Sequence, residues 1–231
     1  RMEKDFVSLA GEVLGDNLVS VMLYGSAVTG RFADGVSDVN VLMLITDDRP
    51  DDVISFGKSA AKLIRKNRVT PLIMTVNDFV SSADVFPMEY LDIRNSRKVI
   101  YGEDVTEKLE IAKQHLRHQV EEQLRGSITS IRSALLHGKG KSRTSKEFLQ
   151  EGFGAQNALF RGLLRLKGDD AVPAEPDELS RELGAKFGVS TDIIVDVARL
   201  RNGEKLDPVS TVKGLLSLLD ELVTNVDRME T

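Results

Sequence analysis

Two short segments of this chain carry the residue types that phosphoryl chemistry uses. One apolar run ends in Gly25 and Ser26, and a second opens with Asp38 and Asn40 after the eleven residues 27–37. A glycine lets the backbone approach a phosphate, and carboxylates on an adjacent strand hold the divalent ions that nucleotidyl transfer requires. The arrangement therefore predicts a phosphate and metal site, with an amide at Asn40 where this chemistry favours a second acid.

The alternation of side chains along a strand places Asp38 and Asn40 on one face of the predicted sheet. Mg²⁺ prefers oxygen ligands, and the amide oxygen of Asn40 can coordinate a cation. The amide nevertheless removes one negative charge, so affinity at a second metal position should fall. Simpler interpretations stay open: an ordinary strand-ending turn at Gly25, a strand-start cap at Asp38, and an inward polar residue bonded to backbone at Asn40.

Hydrophobic periodicity predicts an α/β (α+β) first part around these residues. It indicates helices over 2–15, from Asp51 or Asp52 to about Asn67, and briefly from Asn77, together with strands over 18–24, 39–45, 69–76, 86–93 and 98–101. The nearly continuous apolar run 39–45 is typical of a strand covered on both faces.

The second part of the chain follows a helical period throughout. We expect helices from Thr106 to about His137 and over 145–167, 176–187, 190–201 and 208–228. The sequence therefore predicts two domains with a boundary near Asp104. Residues 1–104 should form a small mixed sheet flanked by helices, and residues 105–231 an antiparallel all-α helical bundle that helps to wall the cleft.

Composition excludes several classes of function. A net charge of −5 argues against broad nucleic-acid binding, which needs a basic face. The absence of cysteine rules out disulfides, thiolate zinc sites and a cysteine nucleophile, and fits a cytoplasmic location. The sequence shows no signal peptide and no apolar run of about 18 residues, so no membrane association is expected. A homo-oligomer is compatible with the sequence.

The segment from Tyr24 to Leu44 resembles the signature of the polymerase-beta-like nucleotidyltransferase superfamily. That signature is an apolar residue, Gly, Gly or Ser, about ten residues, and then acid-apolar-acid-apolar, which Asp38-Val39-Asn40-Val41 matches except at Asn40. The helical second half is similar in layout to the bundle of kanamycin nucleotidyltransferase-like and minimal nucleotidyltransferase proteins.

The resemblance implies an Mg²⁺-dependent transfer of a nucleoside monophosphate from ATP or another triphosphate to a hydroxyl acceptor. Asp38, Asn40 and a third carboxylate on a later strand would then be the catalytic metal ligands. Glu89 is the candidate for the third ligand, with Asp92 as the alternative. Gly25 and Ser26 would hold phosphate. Relatives often carry an arginine soon after the glycine–serine pair, and the nearest one here is Arg31.

Two other functions stay open. Asn40 favours a catalytically inactive descendant that keeps the fold as a nucleotide-binding or protein-interaction module. The spacing of Arg132 and His137 weakly resembles the motif of helical ribonucleases that pair with minimal nucleotidyltransferases. His115 and His118 share a helix face, which a solvated surface explains better than a metal site, and the basic loop 139–146 reads as a solvated loop.

Overall fold

A computed structural model describes residues 2–28, 38–169 and 171–229, with the side chain of Ser26 left out. The strands are β1 Leu18–Tyr24, β2 Val39–Ile45, β3 Val69–Thr75 and β4 Arg97–Gly102. The helices are α1 Met2–Leu14, α2 Pro50–Asn67, α3 Val76–Ser81, α4 Pro87–Asn95, α5 Lys113–Gly138, α6 Ser142–Leu166, α7 Pro176–Phe187, α8 Asp192–Arg201 and α9 Pro208–Asp227. Single 3₁₀ turns occupy Gly15–Asn17, Gly25–Ala27 and Val105–Lys108.

The four strands form one mixed sheet in the order β3-β2-β1-β4. β1 runs antiparallel to both of its neighbours, whereas β2 and β3 are parallel and are joined through α2. A parallel pair needs such a crossover connection because a hairpin cannot join its strands. The prediction of a mixed sheet with flanking helices, followed by a helical part, is confirmed.

Each face of the sheet carries its own apolar cluster. On one face, alternate residues of β2 such as Val41 and Met43 pack with α1 and α2, where Phe6 meets Phe56 edge to face at 5.5 Å. On the other face, Leu42 and Leu44 pack with residues of α3 and α4. β2 is therefore buried on both sides, as its nearly continuous apolar sequence predicts.

The strand predicted over residues 86–93 is wrong, because this segment forms α4. Pro87 stands at the first helical position, where its missing N–H costs nothing. Tyr90 and Ile93, three residues apart, share a helix face and are buried against the sheet. Met88 and Tyr90 also alternate with polar residues, so a segment this short fits both periods and the sequence pattern favours the wrong one.

The helix predicted from Thr106 is interrupted. Residues Val105–Lys108 form a separate 3₁₀ turn, and α5 begins only at Lys113. Asp104 caps this turn by accepting hydrogen bonds from the backbone N–H and the hydroxyl of Thr106, at 3.0 and 2.6 Å. Val105 and Leu109 are buried in the apolar cluster of the sheet, so the chain divides into compact units at 111/112.

The second compact unit, residues 112–231, is all-helical where the structure describes it. Its core is built from apolar side chains at helical spacing, such as Leu124 and Ile131 of α5 and Leu159 and Leu163 of α6. A buried pair of hydroxyl groups joins α7 to the residue preceding α8: Ser180 and Thr191 each donate to the other's backbone carbonyl, at 2.8 and 2.7 Å. None of the helices described in either unit is long and apolar enough to cross a membrane.

Replacing Gly102 by alanine should destabilise the sheet. Gly102 has a φ of +73°, and a Cβ there would lie 1.9 Å from the backbone oxygen of Val19, which belongs to the adjacent strand. The clash involves backbone, which cannot rotate away. Urea unfolding should therefore show a loss of stability that exceeds the roughly 1–2 kcal/mol of left-handed strain alone.

Gly15→Ala is the matched control for this loss. Gly15 also has a positive φ, +51°, but no atom lies within 4 Å of an added Cβ. It should lose only the left-handed strain, about 1–2 kcal/mol. Equal losses in the two variants would contradict the close approach of β4 to β1.

Candidate functional site

One row of paired residues crosses the sheet at the end where β1 finishes. Tyr24 of β1 lies opposite Asn40 of β2 and, on its other side, opposite Arg97 of β4. Asn40 is in turn level with Thr70 of β3. Directly paired residues project to the same face of a sheet, so these four side chains line one edge of the face that α3 and α4 cover.

The glycine–serine corner meets Asn40 at this edge. Gly25 adopts a left-handed backbone with a φ of +75°, and a Cβ at this residue would lie 3.3 Å from the side-chain amide nitrogen of Asn40. The half-buried amide therefore packs against the glycine backbone where a larger residue would crowd it. Two of the predicted site residues, Gly25 and Asn40, are thus adjacent in the structure.

The backbone N–H of Gly25 already has partners within the protein. It donates to the carbonyl oxygen and to the hydroxyl of Ser96, both at 3.1 Å, just after the end of α4. The turn that follows is a single 3₁₀ turn, Gly25–Ala27, with no longer helix in the described part of this loop. The Gly25 N–H therefore holds the corner to Ser96, between α4 and β4.

Asp38 directly precedes β2 and is ion-paired. Its Oδ1 accepts a hydrogen bond from Nε of Arg68 at 2.9 Å, and both side chains are about half exposed. Arg68 ends α2 in a left-handed conformation, with a φ of 52°. Its carbonyl accepts the N–H of Val39 at 2.9 Å, so backbone and side chain together fasten the starts of the two parallel strands.

The candidates for the third carboxylate lie on a helix and not on a strand. Glu89 is exposed and Asp92 half-buried on α4, one helical turn apart. The strands that follow β2 along the chain, β3 (VTPLIMT) and β4 (RKVIYG), contain no aspartate or glutamate. Neither of these strands therefore carries the third acid that the resemblance places on a later strand.

Among the residues that the structure describes, the donor set at this edge does not fit a two-metal centre. Two divalent ions need several carboxylates, whereas Asp38 is the acid that opens β2 and Asn40 is neutral. Within the ranges that the structure describes, no group of three histidine, aspartate or glutamate side chains is arranged to hold a metal ion. The predicted roles of Asp38, Asn40 and Glu89 as ligands of Mg²⁺ stay predictions.

Arg97 anchors the opposite end of the row. Its guanidinium contacts Asp104 at 2.6 Å and also donates to the carbonyl of Arg94. Burial alone would raise the pKa of Asp104, but hydrogen bonds from Thr106 and the charge of Arg97 outweigh burial and lower that pKa below its ordinary value. Burial also raises the pKa of Tyr24, which keeps its phenol neutral.

Several predicted residues fall elsewhere. Arg31 lies outside the described residues, as does the side chain of Ser26. On α5, Arg132 pairs with Asp220 at 3.3 Å, and Nδ1 of His137 lies 2.9 Å from the carbonyl of Ser133 in its own helix. Residues five apart on a helix point about 140° away from each other, so Arg132 and His137 do not share a face.

Sequence reasoning missed Arg68 and Ser96. Arg68 could have been found, because residues that precede two parallel strands of one β-α-β unit lie side by side, as Asp38 and Arg68 do. Ser96 carried no such signal. Its contact with Gly25 depends on α4, which the sequence pattern assigned to a strand.

Comparison with known proteins identifies the fold. The chain superposes on a spectinomycin adenyltransferase, AAD(9), from Enterococcus faecialis, solved with ATP and spectinomycin, with a TM-score of 0.61 and 14% identity. The alignment covers 98% of each chain. No protein-family model and no curated protein sequence matches this chain. The resemblance to the polymerase-beta-like nucleotidyltransferases is thus confirmed at the level of the fold.

A double-mutant cycle tests the contact between Gly25 and Asn40. Gly25→Ala should destabilise the protein through left-handed strain, about 1–2 kcal/mol, and through crowding of the amide. In an Asn40→Ala background the crowding is gone, so urea unfolding should show a cost smaller by at least about 0.5 kcal/mol. Gly188→Ala is the control, because Gly188 has a similar φ of +67° and no atom within 4 Å of an added Cβ. Its cost should be the same with and without Asn40→Ala. Strict additivity for Gly25 would contradict the contact.

Asp104→Asn tests the anchor at Arg97. The pKa of Asp104 is lower in the folded state, so its contribution to stability is full above its ordinary value of 3.8 and is lost as pH falls through the folded value. Asparagine keeps the cap but not the charge, so at pH 7 the variant should lose roughly 1–3 kcal/mol in urea unfolding. The two proteins should converge in stability at acid pH, and a difference that is constant with pH would refute the assignment.

Proposed function

We propose that this chain is a nucleotidyltransferase-fold protein in which metal-dependent transfer is weakened or lost, and that it acts as a nucleotide-binding module. The observation that carries the proposal is the charge of the site edge. Asn40 replaces an acid, the later strands carry none, and Asp38 is neutralised by Arg68. Divalent ions that bridge attacking and leaving oxygens need more negative charge than this.

The parts that recognise a nucleotide without catalysing transfer are better preserved. The glycine corner still lies against the start of β2, and the edge carries the amide of Asn40, the phenol of Tyr24 and the half-exposed guanidinium of Arg68. These groups are donors suited to phosphate and ribose oxygens. Such an edge can bind an anion while lacking the metal ligands that chemistry on its α-phosphate requires.

The second candidate function is active adenylyl transfer to a hydroxyl group of a small molecule. It is favoured by the likeness to the spectinomycin adenyltransferase solved with ATP and spectinomycin, which extends over 98% of both chains. In this function Asp38 would bind the cofactor Mg²⁺, so its ion pair with Arg68 would have to break. The ribonuclease hypothesis gains no support, since Arg132 and His137 are occupied within the helical unit.

An adenylyl-transfer assay separates the two candidates. The wild-type protein is incubated with ATP, Mg²⁺ and spectinomycin, and mass spectrometry follows the adenylylated product. We expect no product, because the edge lacks the charge for two metal ions. Asn40→Asp should add one carboxylate, so calorimetry should show that ATP binding becomes more dependent on Mg²⁺. This result is expected whether or not the variant transfers AMP.

The control for Asn40→Asp is Asp47→Asn, which changes a charge far from this edge. Asp47 lies just beyond the other end of β2 in an exposed pair with Arg49. It should leave ATP binding as it is. Adenylylation by the wild type that Asn40→Asp does not alter would contradict the proposal and establish the second candidate.

A further inference from the structure

Asp38, the acid that precedes β2, is already paired with a cationic side chain of the protein, that of Arg68. Nε of Arg68 lies 2.9 Å from Oδ1 of Asp38, at the position where the resemblance expects a carboxylate bound to metal. We propose that the guanidinium of Arg68 replaces the metal ion here and binds the phosphates of a nucleoside triphosphate without any divalent cation. This inference rests on the nucleotide-binding function proposed above.

The charges at the edge match a single guanidinium better than a metal. Asn40 is neutral and Asp38 contributes one negative charge, which one monovalent cation balances. A divalent ion on the same two side chains would have only one carboxylate and one amide as protein ligands. The amide of Asn40 and the arginine beside Asp38 thus occur together at this edge.

The fold holds Arg68 in place for this role. The N–H of Arg68 donates to Ile64 at the end of α2, and its carbonyl accepts the N–H of Val39, so its backbone is fixed on both sides. About half of its side chain, 47%, is exposed to solvent. Its planar fork of donors suits phosphate oxygens, which it binds more specifically than an ammonium does.

The position of Arg68 also relates it to the glycine corner. Asp38 lies two residues before Asn40, whose amide packs on Gly25. The starts of β2 and β3 and the end of β1 therefore bring a guanidinium and the corner to one edge of the sheet. A triphosphate chain lying along this edge would meet Arg68 where active relatives of this fold are expected to present metal.

Calorimetry with the full chain tests the inference. ATP should bind with similar affinity in Mg²⁺ and in EDTA. Arg68→Gln should weaken ATP binding in EDTA by at least about tenfold, and Arg68→Lys by less, because lysine keeps the charge but not the fork. Inorganic tripolyphosphate should compete with ATP, whereas adenosine should not, if the phosphates are the part recognised.

Asp38→Asn should change the affinity for ATP in opposite directions, depending on whether Arg68 binds the phosphates or Asp38 binds a metal ion. If Arg68 binds the phosphates, removal of the carboxylate removes a charge that repels them, so ATP should bind more tightly. If Asp38 binds a metal, the same variant should weaken binding in Mg²⁺. Arg49→Gln is the matched control, since Arg49 forms the same kind of exposed pair, with Asp47, beyond the other end of β2.

A failure of the role of Arg68 can be distinguished from a failure of the proposed nucleotide-binding function. Binding of ATP that is lost in EDTA, or that Arg68→Gln leaves unchanged, would overturn the role of Arg68 while nucleotide binding itself stands. No binding of ATP under either condition would overturn the proposed function and this inference together. Equal losses in Arg68→Gln and Arg49→Gln would indicate a general effect of charge and would also overturn the role of Arg68.

Discussion

The packing of the Asn40 amide against the left-handed backbone of Gly25 is the constraint around which the site edge is arranged. Only a residue without a Cβ fits comfortably both the φ of +75° and the 3.3 Å approach. The N–H of the same glycine is held by Ser96. These contacts join β1, β2 and the end of α4 at one point.

The electrostatics of the edge are built from pairs within the protein. Asp38 pairs with Arg68 at one end of the row, and Arg97 pairs with Asp104 at the other. The first pair is exposed and contributes little to stability, roughly 0.2–1 kcal/mol. In the proposed function, this pair uses the carboxylate that a metal ion would otherwise need.

Much of the fold was predictable because its signals are local. The valine-rich run of β1 and the apolar run of β2 predict strands, and the adjacency of Gly25 and Asn40 agrees with those strands being neighbours. α4 was not predictable, because in a segment so short the burial of Met88 and Tyr90 fits a strand as well as a helix. Because the pattern favours a strand here, it places Glu89 on a strand and gives no sign that Ser96 anchors Gly25.

The most direct test of the account is a crystal structure of the protein grown with ATP and Mn²⁺, with anomalous diffraction used to locate the metal. The account predicts that Asp38 remains paired with Arg68, that the triphosphate lies within hydrogen-bonding distance of the guanidinium, and that no anomalous peak lies beside Asp38 or Asn40. A manganese ion coordinated by Asp38, with Arg68 displaced, would contradict it.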